Sequence, residues 1–306
     1  MGALQPIFRR STGLNTKIDG TRLPYDPATG IMDLAVAYNV DIDDTGRVSR
    51  RSGFAVGVDG ISYHSLFCDQ GTALVCSGNA LMVLHPDLST TSIRNVTVGA
   101  RMVYVATYNG ADEEIYYCNG YEKGVVRGEL SYDWTGNDYV GPTKTKTFDD
   151  PPTGHLLGLY NGRMYVAEEN MLWYSQPFAY SWFDYARNYI PFKSRLRMIA
   201  PADDGLFIST DEELYALTGP NPAEFISRKL KSYPAVEGTM VKIDGSKLGE
   251  GDMPSEVPMF ATTKGLCVGG PGGTLLNLTE RKLSYPAAMF GAGLAYNDKY
   301  ICTFET

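Results

Sequence analysis

Long apolar runs are missing from this sequence. Nowhere do about eighteen apolar residues stand together, and the first thirty residues hold no apolar core of a signal peptide. The expectation is a protein with neither membrane insertion nor a recognisable export signal, so the sequons at Asn95 and Asn277 read as chance matches. Helical periodicity is missing too: no three-turn stretch sets apolar residues at i, i+3, i+4 and i+7 free of Gly, Pro or β-branched clusters. Histidine is scarce. His64, His85 and His155 stand in different parts of the chain, none with a second His or Cys at ligand spacing, which argues against zinc or another metal cofactor. The five cysteines, Cys68, Cys76, Cys118, Cys267 and Cys302, are odd in number and include no C-x-x-C pair, so they read as reduced, buried thiols. No G-x-S-x-G elbow and no thiol–base pairing supports a nucleophilic enzyme. Positive charge is in deficit, 27 Lys and Arg against 35 Asp and Glu for a net −8. Tight binding to nucleic acid through phosphate neutralisation is thereby disfavoured. The short basic clusters Arg9-Arg10, Arg50-Arg51 and Arg228-Lys229-Lys231 read as solvated or interface charges.

What the chain does have is turn residues and aromatics: 33 Gly, 17 Pro and 21 Tyr in 306 residues. From about residue 60 a unit recurs, an apolar strand, a tight polar turn, a second strand, a Gly, Asn or acidic turn, and a third strand. Met198–Leu217 shows it plainly, with turns at Asp203-Asp204-Gly205 and Asp211-Glu212-Glu213. Taking Gly71, Gly110, Gly162, Gly205, Gly265 and Lys299 as markers, the spacings are 39, 52, 43, 60 and 34 residues. Such a unit leaves a bare apolar sheet face and two unpaired edges, so several must pack face to face around an axis. The predicted fold is all-β, a β-propeller of about six blades over residues 35–306, preceded by an N-terminal arm at 1–34. Polar insertions are expected at about 127–153 and 231–258. The last unit, Ala292–Glu305, has only two strands, and the predicted hairpin within Ala35–Phe54 is the expected donor of its closure.

Several motifs were weighed as sites. Asp41-Ile42-Asp43-Asp44-Thr45-Gly46 opens like a calcium loop, yet Ser52 stands where a bidentate glutamate is needed, so it reads as a turn. Gly269–Gly273 lacks the Lys-Ser/Thr and the helix of a phosphate cradle and reads as a strand connection. The carboxylates Asp112-Glu113-Glu114, Glu168-Glu169 and Asp211-Glu212-Glu213 would matter for glycoside hydrolysis, but all fall in predicted hairpin turns. Ser131-Tyr132-Asp133-Trp134-Thr135-Gly136 partly matches the Asp-box of sialidases and occurs once. The most unusual segment is Trp173–Tyr185. Its Leu172-Trp173-Tyr174 part continues a strand, while Phe178, Tyr180, Trp182, Phe183 and Tyr185 follow a Pro-marked turn and either pack over a blade or form a partner surface, with Arg9 and Arg10 as further interface candidates.

Gly13-Leu14-Asn15-Thr16, Asn39–Asp43 with Gly46–Phe54, Leu172–Pro177 and Asp204–Thr210 before Leu214-Tyr215 together give a sequence that resembles the propeller-type tail hub or nozzle proteins of short-tailed bacteriophages. Ser52 departs from the proline usual in those relatives. The resemblance implies a virion component made in the host cytoplasm. It would assemble as a homohexameric ring on the adaptor and portal side, meet tail fibre or needle proteins, and pass DNA through an acidic lumen without binding it. It implies neither catalytic residues nor a cofactor. The alternative is a propeller that binds or degrades glycans, and a third reading is a monomeric peptide-binding scaffold.

Overall fold

The computed structural model describes residues 10–43, 45–60, 62–69, 71–109, 112–136, 139–140, 145–146, 148–249, 253–297 and 299–305. Strand dominates them, and the helical pieces are short 3-10 turns such as Gly245–Leu248. Five four-stranded antiparallel sheets follow one another along the chain, each paired in chain order. The first comprises Tyr63–Asp69, Thr72–Ser77, Ala80–Leu84 and Thr90–Asn95, and the second Val103–Asn109, Asp112–Cys118, Lys123–Arg127 and Leu130–Asp133. Leu156–Tyr160, Arg163–Glu168, Met171–Tyr174 and Tyr189–Pro191 form the third, and Leu196–Ala202, Gly205–Thr210, Leu214–Thr218 and Ile226–Lys231 the fourth. The fifth is Val241–Ile243, Val257–Thr262, Gly265–Gly270 and Thr274–Asn277, and the last unit is the hairpin Gly291–Tyr296 with Lys299–Phe304.

These sheets are arranged radially. The opening strands of the second, third and fourth sheets lie side by side, and residues of the first, third and fourth sheets, of Arg101–Tyr104 at the start of the second, of Met240 just before the fifth and of the final hairpin face one axial cavity. The apolar core is divided among the gaps between neighbours. Leu81, Ile115 and Tyr117 fill the gap between the first two sheets, and Tyr116, Val125, Met164 and Val166 the next. Tyr165, Leu172, Ile199 and Ile208 join the third sheet to the fourth; Phe207, Ala216, Phe260 and Cys267 join the fourth to the fifth. Each sheet hides its two apolar faces only against its neighbours, which is the reason the repeat folds as a ring. The fold is a β-propeller.

The turn chemistry explains the spacing of the repeat. Gly71 and Gly162 lie at the first turn of their units, as does Gly205, while Gly110 is outside the described residues between two strands that are paired. At Asn161-Gly162 both central residues have positive φ, 44° and 70°, as a twist-matched two-residue hairpin requires. A Cβ on Gly162 would also stand 2.6 Å from the Phe178 ring. Gly265 lies one turn later in its unit than expected. The reason is that the stretch anticipated as an insertion at 231–258 itself carries the opening strand Val241–Ile243, pinned by Lys242–Pro258 pairing. Likewise the stretch at 127–153 begins with the outer strand Leu130–Asp133 of the second sheet before it leaves the ladder.

The N-terminal arm folds as a small sheet of its own: Arg10–Leu14 runs parallel to Ile31–Leu34, which pairs antiparallel with Tyr25–Asp26. Its hub is Asp33, 4% exposed, which accepts from Thr12 Oγ1, from Asn15 Nδ2 at 2.8 Å and from Lys282 Nζ at 2.9 Å. Backbone bonds from Thr16 N–H to the Lys282 carbonyl (2.8 Å) and from Ser284 N–H to Thr16 Oγ1 (2.9 Å) dock this arm on the chain beyond the fifth sheet. The predicted hairpin is present as Val40–Ile42 with Val48–Arg50. It shares no ladder with the final hairpin among the described residues; the link is an ion pair between Lys299 Nζ and Asp41 at 3.0 Å.

Candidate functional site

The axial cavity is the principal concavity. Its apolar chamber has a volume of about 690 Å³, inside the range of small-molecule sites, and is walled by aliphatic side chains including Leu66, Leu156, Met198, Met240 and Leu294. At one end it opens into a polar mouth that brings together Arg101, His64, His155, Arg195 and Glu237. The opening of the fourth sheet supplies two of the charges. Arg195 precedes the strand Leu196–Ala202, and Arg197 stands at its irregularity, where the register with Gly205–Thr210 shifts between Leu196 and Met198. Arg195 pairs with Glu237 at 2.8 Å, and Glu237 is 4% exposed, so its charge is compensated where water cannot reach it. Arg197 pairs with Asp211 at 2.6 Å, donates to the Met289 carbonyl at 3.2 Å and lies over the Phe290 ring.

Arg101 is different. Its guanidinium donates to two backbone carbonyls, Glu237 at 3.1 Å and Gly291, with no carboxylate of the described residues within ion-pair distance. Burial lowers its pKa, with only partial opposition from the charges of Glu237 and Glu305. Gly238 makes the approach possible, since its φ is +85° and a Cβ there would collide with the Arg101 guanidinium. His64 Nδ1 lies 2.9 Å from Ser65 Oγ, while Ser65 Oγ accepts from Met102 N–H at 2.9 Å. Burial, then the Arg101 charge, lowers the His64 pKa. His155 is also held neutral by burial and shares a 2.8 Å bond through Nε2 with the Leu196 carbonyl.

The aromatic segment divides. Phe183 is fully buried among Trp134, Met164 and Val166 and is not a surface side chain, because its backbone pairs with Asp149 and turns the ring inward. Trp182 stacks on Phe148 at 5.0 Å, and Tyr180 meets Tyr116 edge-on at 5.9 Å. Tyr185 lies 4.6 Å from Trp173 and donates to the Asp150 carbonyl at 2.8 Å. Most of the segment thus fastens the 148–150 loop to the third sheet. Phe178, at 79%, is the member that projects into solvent. Arg10 is exposed at the start of the arm, and Arg9 lies outside the described residues.

Of the carboxylate candidates expected in hairpin turns, Glu114 lies within the strand Asp112–Cys118 and pairs with Arg127 at 2.7 Å, and Glu168 ends the strand Arg163–Glu168 and accepts from Trp173 Nε1 at 3.2 Å, whereas Asp211 and Glu213 share one turn of the fourth sheet and pair with Arg197 and with Lys229 at 2.5 Å. Asp43 closes its turn by accepting from Thr45 and Arg47 N–H at 2.9 and 3.0 Å, and Pro271–Gly273 forms the turn between the third and fourth strands of its sheet. The convergence of Arg101, Arg195 and Glu237 escaped the sequence reading, because they come from three distant stretches. The one local signal was the pair Arg195 and Arg197 at the opening of a strand.

No protein-family model matches the chain, and no curated protein matches it. Among solved structures it is similar to BBS1N, crystallised in complex with ARL6DN, at 12% identity and TM-score 0.47 over 78% of this chain and 73% of that one. It is also similar to Saccharomyces cerevisiae Sqt1, at 11% identity and TM-score 0.41 over 73% and 62% of the two chains. For Kluyvelomyces marxianus Hsv2 the values are 10% identity and TM-score 0.39 over 79% and 84%. Likeness at this level says nothing of function.

Proposed function

We propose that this protein is a structural component of a short-tailed phage virion, a tail hub or nozzle subunit that works by assembling with copies of itself and with neighbouring tail proteins. The observation that carries the reading is the exposed apolar face of the two-stranded final hairpin. Leu294 and Ile301 sit directly opposite each other on the hairpin, and with Tyr296 they form an exposed apolar face. Tyr38 just before the N-terminal hairpin, and Phe54 and Val56 in the stretch from that hairpin to the first sheet, are 78–86% exposed. Val58, the next apolar residue along, shares the axial cavity with Leu294. An exposed apolar face beside unpaired strand edges is an assembly surface. The net charge of −8 fits a conduit that DNA traverses without adhering.

The test is mass photometry and negative-stain imaging of the purified chain, with immunolabelling of purified particles from the phage that encodes it. Rings, and label at the tail, are expected, and Ile301→Asp with Tyr296→Asp should reduce rings to folded monomers. A chain that stays monomeric at every concentration and is missing from virions refutes the assignment.

A further inference from the structure

Arg101 is the one cation at the channel mouth that the described residues leave without a carboxylate partner within ion-pair distance. Arg195 and Arg197 are matched by Glu237 and Asp211. Among the described residues Arg101 meets carbonyl oxygens only, and Glu305, whose charge also acts on it, is exposed and forms no ion pair with it. A guanidinium has five N–H donors in a planar fork suited to a carboxylate, and two bonds to carbonyls leave donors over.

A second unmet donor lies beside it. Ser65 Oγ already accepts from Met102 N–H; with its own hydrogen turned to His64 Nδ1, the neutral imidazole carries its proton on Nε2. His64 Nε2 is buried and has no hydrogen-bond partner. A buried donor without an acceptor costs free energy that a ligand oxygen would recover. Both His64 and Arg101 line the apolar chamber as well as the polar mouth, so they mark the junction of the two.

We propose that the axial cavity is a binding site for an elongated apolar monocarboxylate, with the carboxylate at Arg101 and His64 Nε2 and the hydrocarbon in the chamber walled by Leu156, Met198, Met240 and Leu294. A single uncompensated positive charge fits a monoanion, whereas a phosphate monoester would bring a second negative charge toward Glu237 and Glu305. An aliphatic chamber at the axis, too large to be a packing defect at about 690 Å³, gains by exchanging water for methylene groups. Leu294 belongs both to this chamber and to the exposed hairpin face, but binding by the isolated chain requires no assembly, so the two readings fail separately.

Calorimetric titration of the full chain with octanoate, decanoate and decanol, each below its micelle-forming concentration, tests the proposal. Each methylene buried raises affinity about fourfold, so decanoate should bind roughly tenfold or more tighter than octanoate. It should bind at least about tenfold tighter than decanol, which has the tail and lacks the charge. Arg101→Gln should bring decanoate down to the level of decanol. Met240→Trp, which fills the chamber from a half-buried position away from the mouth, should abolish both and keeps the test decisive if Arg101→Gln does not fold. Equal affinity for decanoate and decanol, no dependence on chain length, or unchanged binding by Met240→Trp would overturn it.

Discussion

Two phenylalanines five residues apart in the aromatic segment should respond to truncation in opposite ways. Phe183 has no solvent exposure, lies 6.1 Å from Trp134 in an edge-on arrangement and packs on Met164 and Val166. Phe178 is 79% exposed. Removing a buried Phe side chain costs about 3–5 kcal/mol, so Phe183→Ala should lose about 4 kcal/mol. With an unfolding entropy of about 2.1 cal/mol/K per residue, a chain of this length has about 0.64 kcal/mol/K, and the melting temperature should fall by about 6 °C. Phe178→Ala should change stability by no more than about 0.5 kcal/mol, a shift below about 1 °C. Thermal unfolding followed by tryptophan fluorescence reads both, because Trp134 borders the Phe183 site. A fall of less than about 2 °C for Phe183→Ala, or equal losses for the two variants, would show that the segment is not anchored as described. The same pair separates the assembly role: Phe178→Ala may be assayed in ring formation with the fold intact.

Further expectations concern charge, backbone and thiols. Glu237→Ala strands Arg195 beside a desolvated site and should cost about 3 kcal/mol, measured by urea denaturation; a neutral result would mean the pair is solvated. Gly238→Ala should destabilise the protein and displace Arg101, since φ there is +85° and the new Cβ meets the guanidinium; an unaltered melting curve would contradict that packing. Cys68 is exposed and should react promptly with a thiol reagent. Cys118 and Cys267 are buried, which raises both thiols, Cys267 to about 11, so they should react only on unfolding. Acid should weaken the fold in two stages. His155 is neutral in the folded protein while the unfolded chain takes up its proton below about pH 6.5, so stability falls as pH drops through that value. At Asp33 burial would raise the pKa, but the bonds from Thr12, Asn15 and Lys282 outweigh it and lower it. Its contribution is therefore kept above the ordinary carboxylate range and lost only in stronger acid. His155→Gln should flatten the first stage of a melting-temperature profile against pH; an unchanged profile would assign that stage to another group.

The repeat was legible because hairpin chemistry is local. Asn161-Gly162 and Asp203-Asp204-Gly205 announce turns through residues that tolerate their dihedrals or cap their backbone, and the apolar runs beside them became the strands of the third and fourth sheets. Irregular ladder was harder to see. Val241–Ile243 is a three-residue strand followed by a 3-10 turn, too short to show a period, so it read as part of a polar insertion. The facing of the aromatic segment is decided by the Asp149–Phe183 bridge, a tertiary contact with no trace in sequence. The channel mouth was invisible for the same reason, since Arg101 reaches Glu237 and Gly291 across 136 and 190 positions of chain.

Because every apolar cluster joins sheets that are consecutive in the chain, each new meander emerging from a ribosome finds the surface it needs already made. Synthesis and folding can therefore keep step from the first sheet to the fifth, and the growing edge is covered within one further unit of translation. The docking of the arm through Asp33 and Lys282, like the reach of Arg101 to Gly291 and of Asp41 to Lys299, must wait until the segments beyond the fifth sheet have been made.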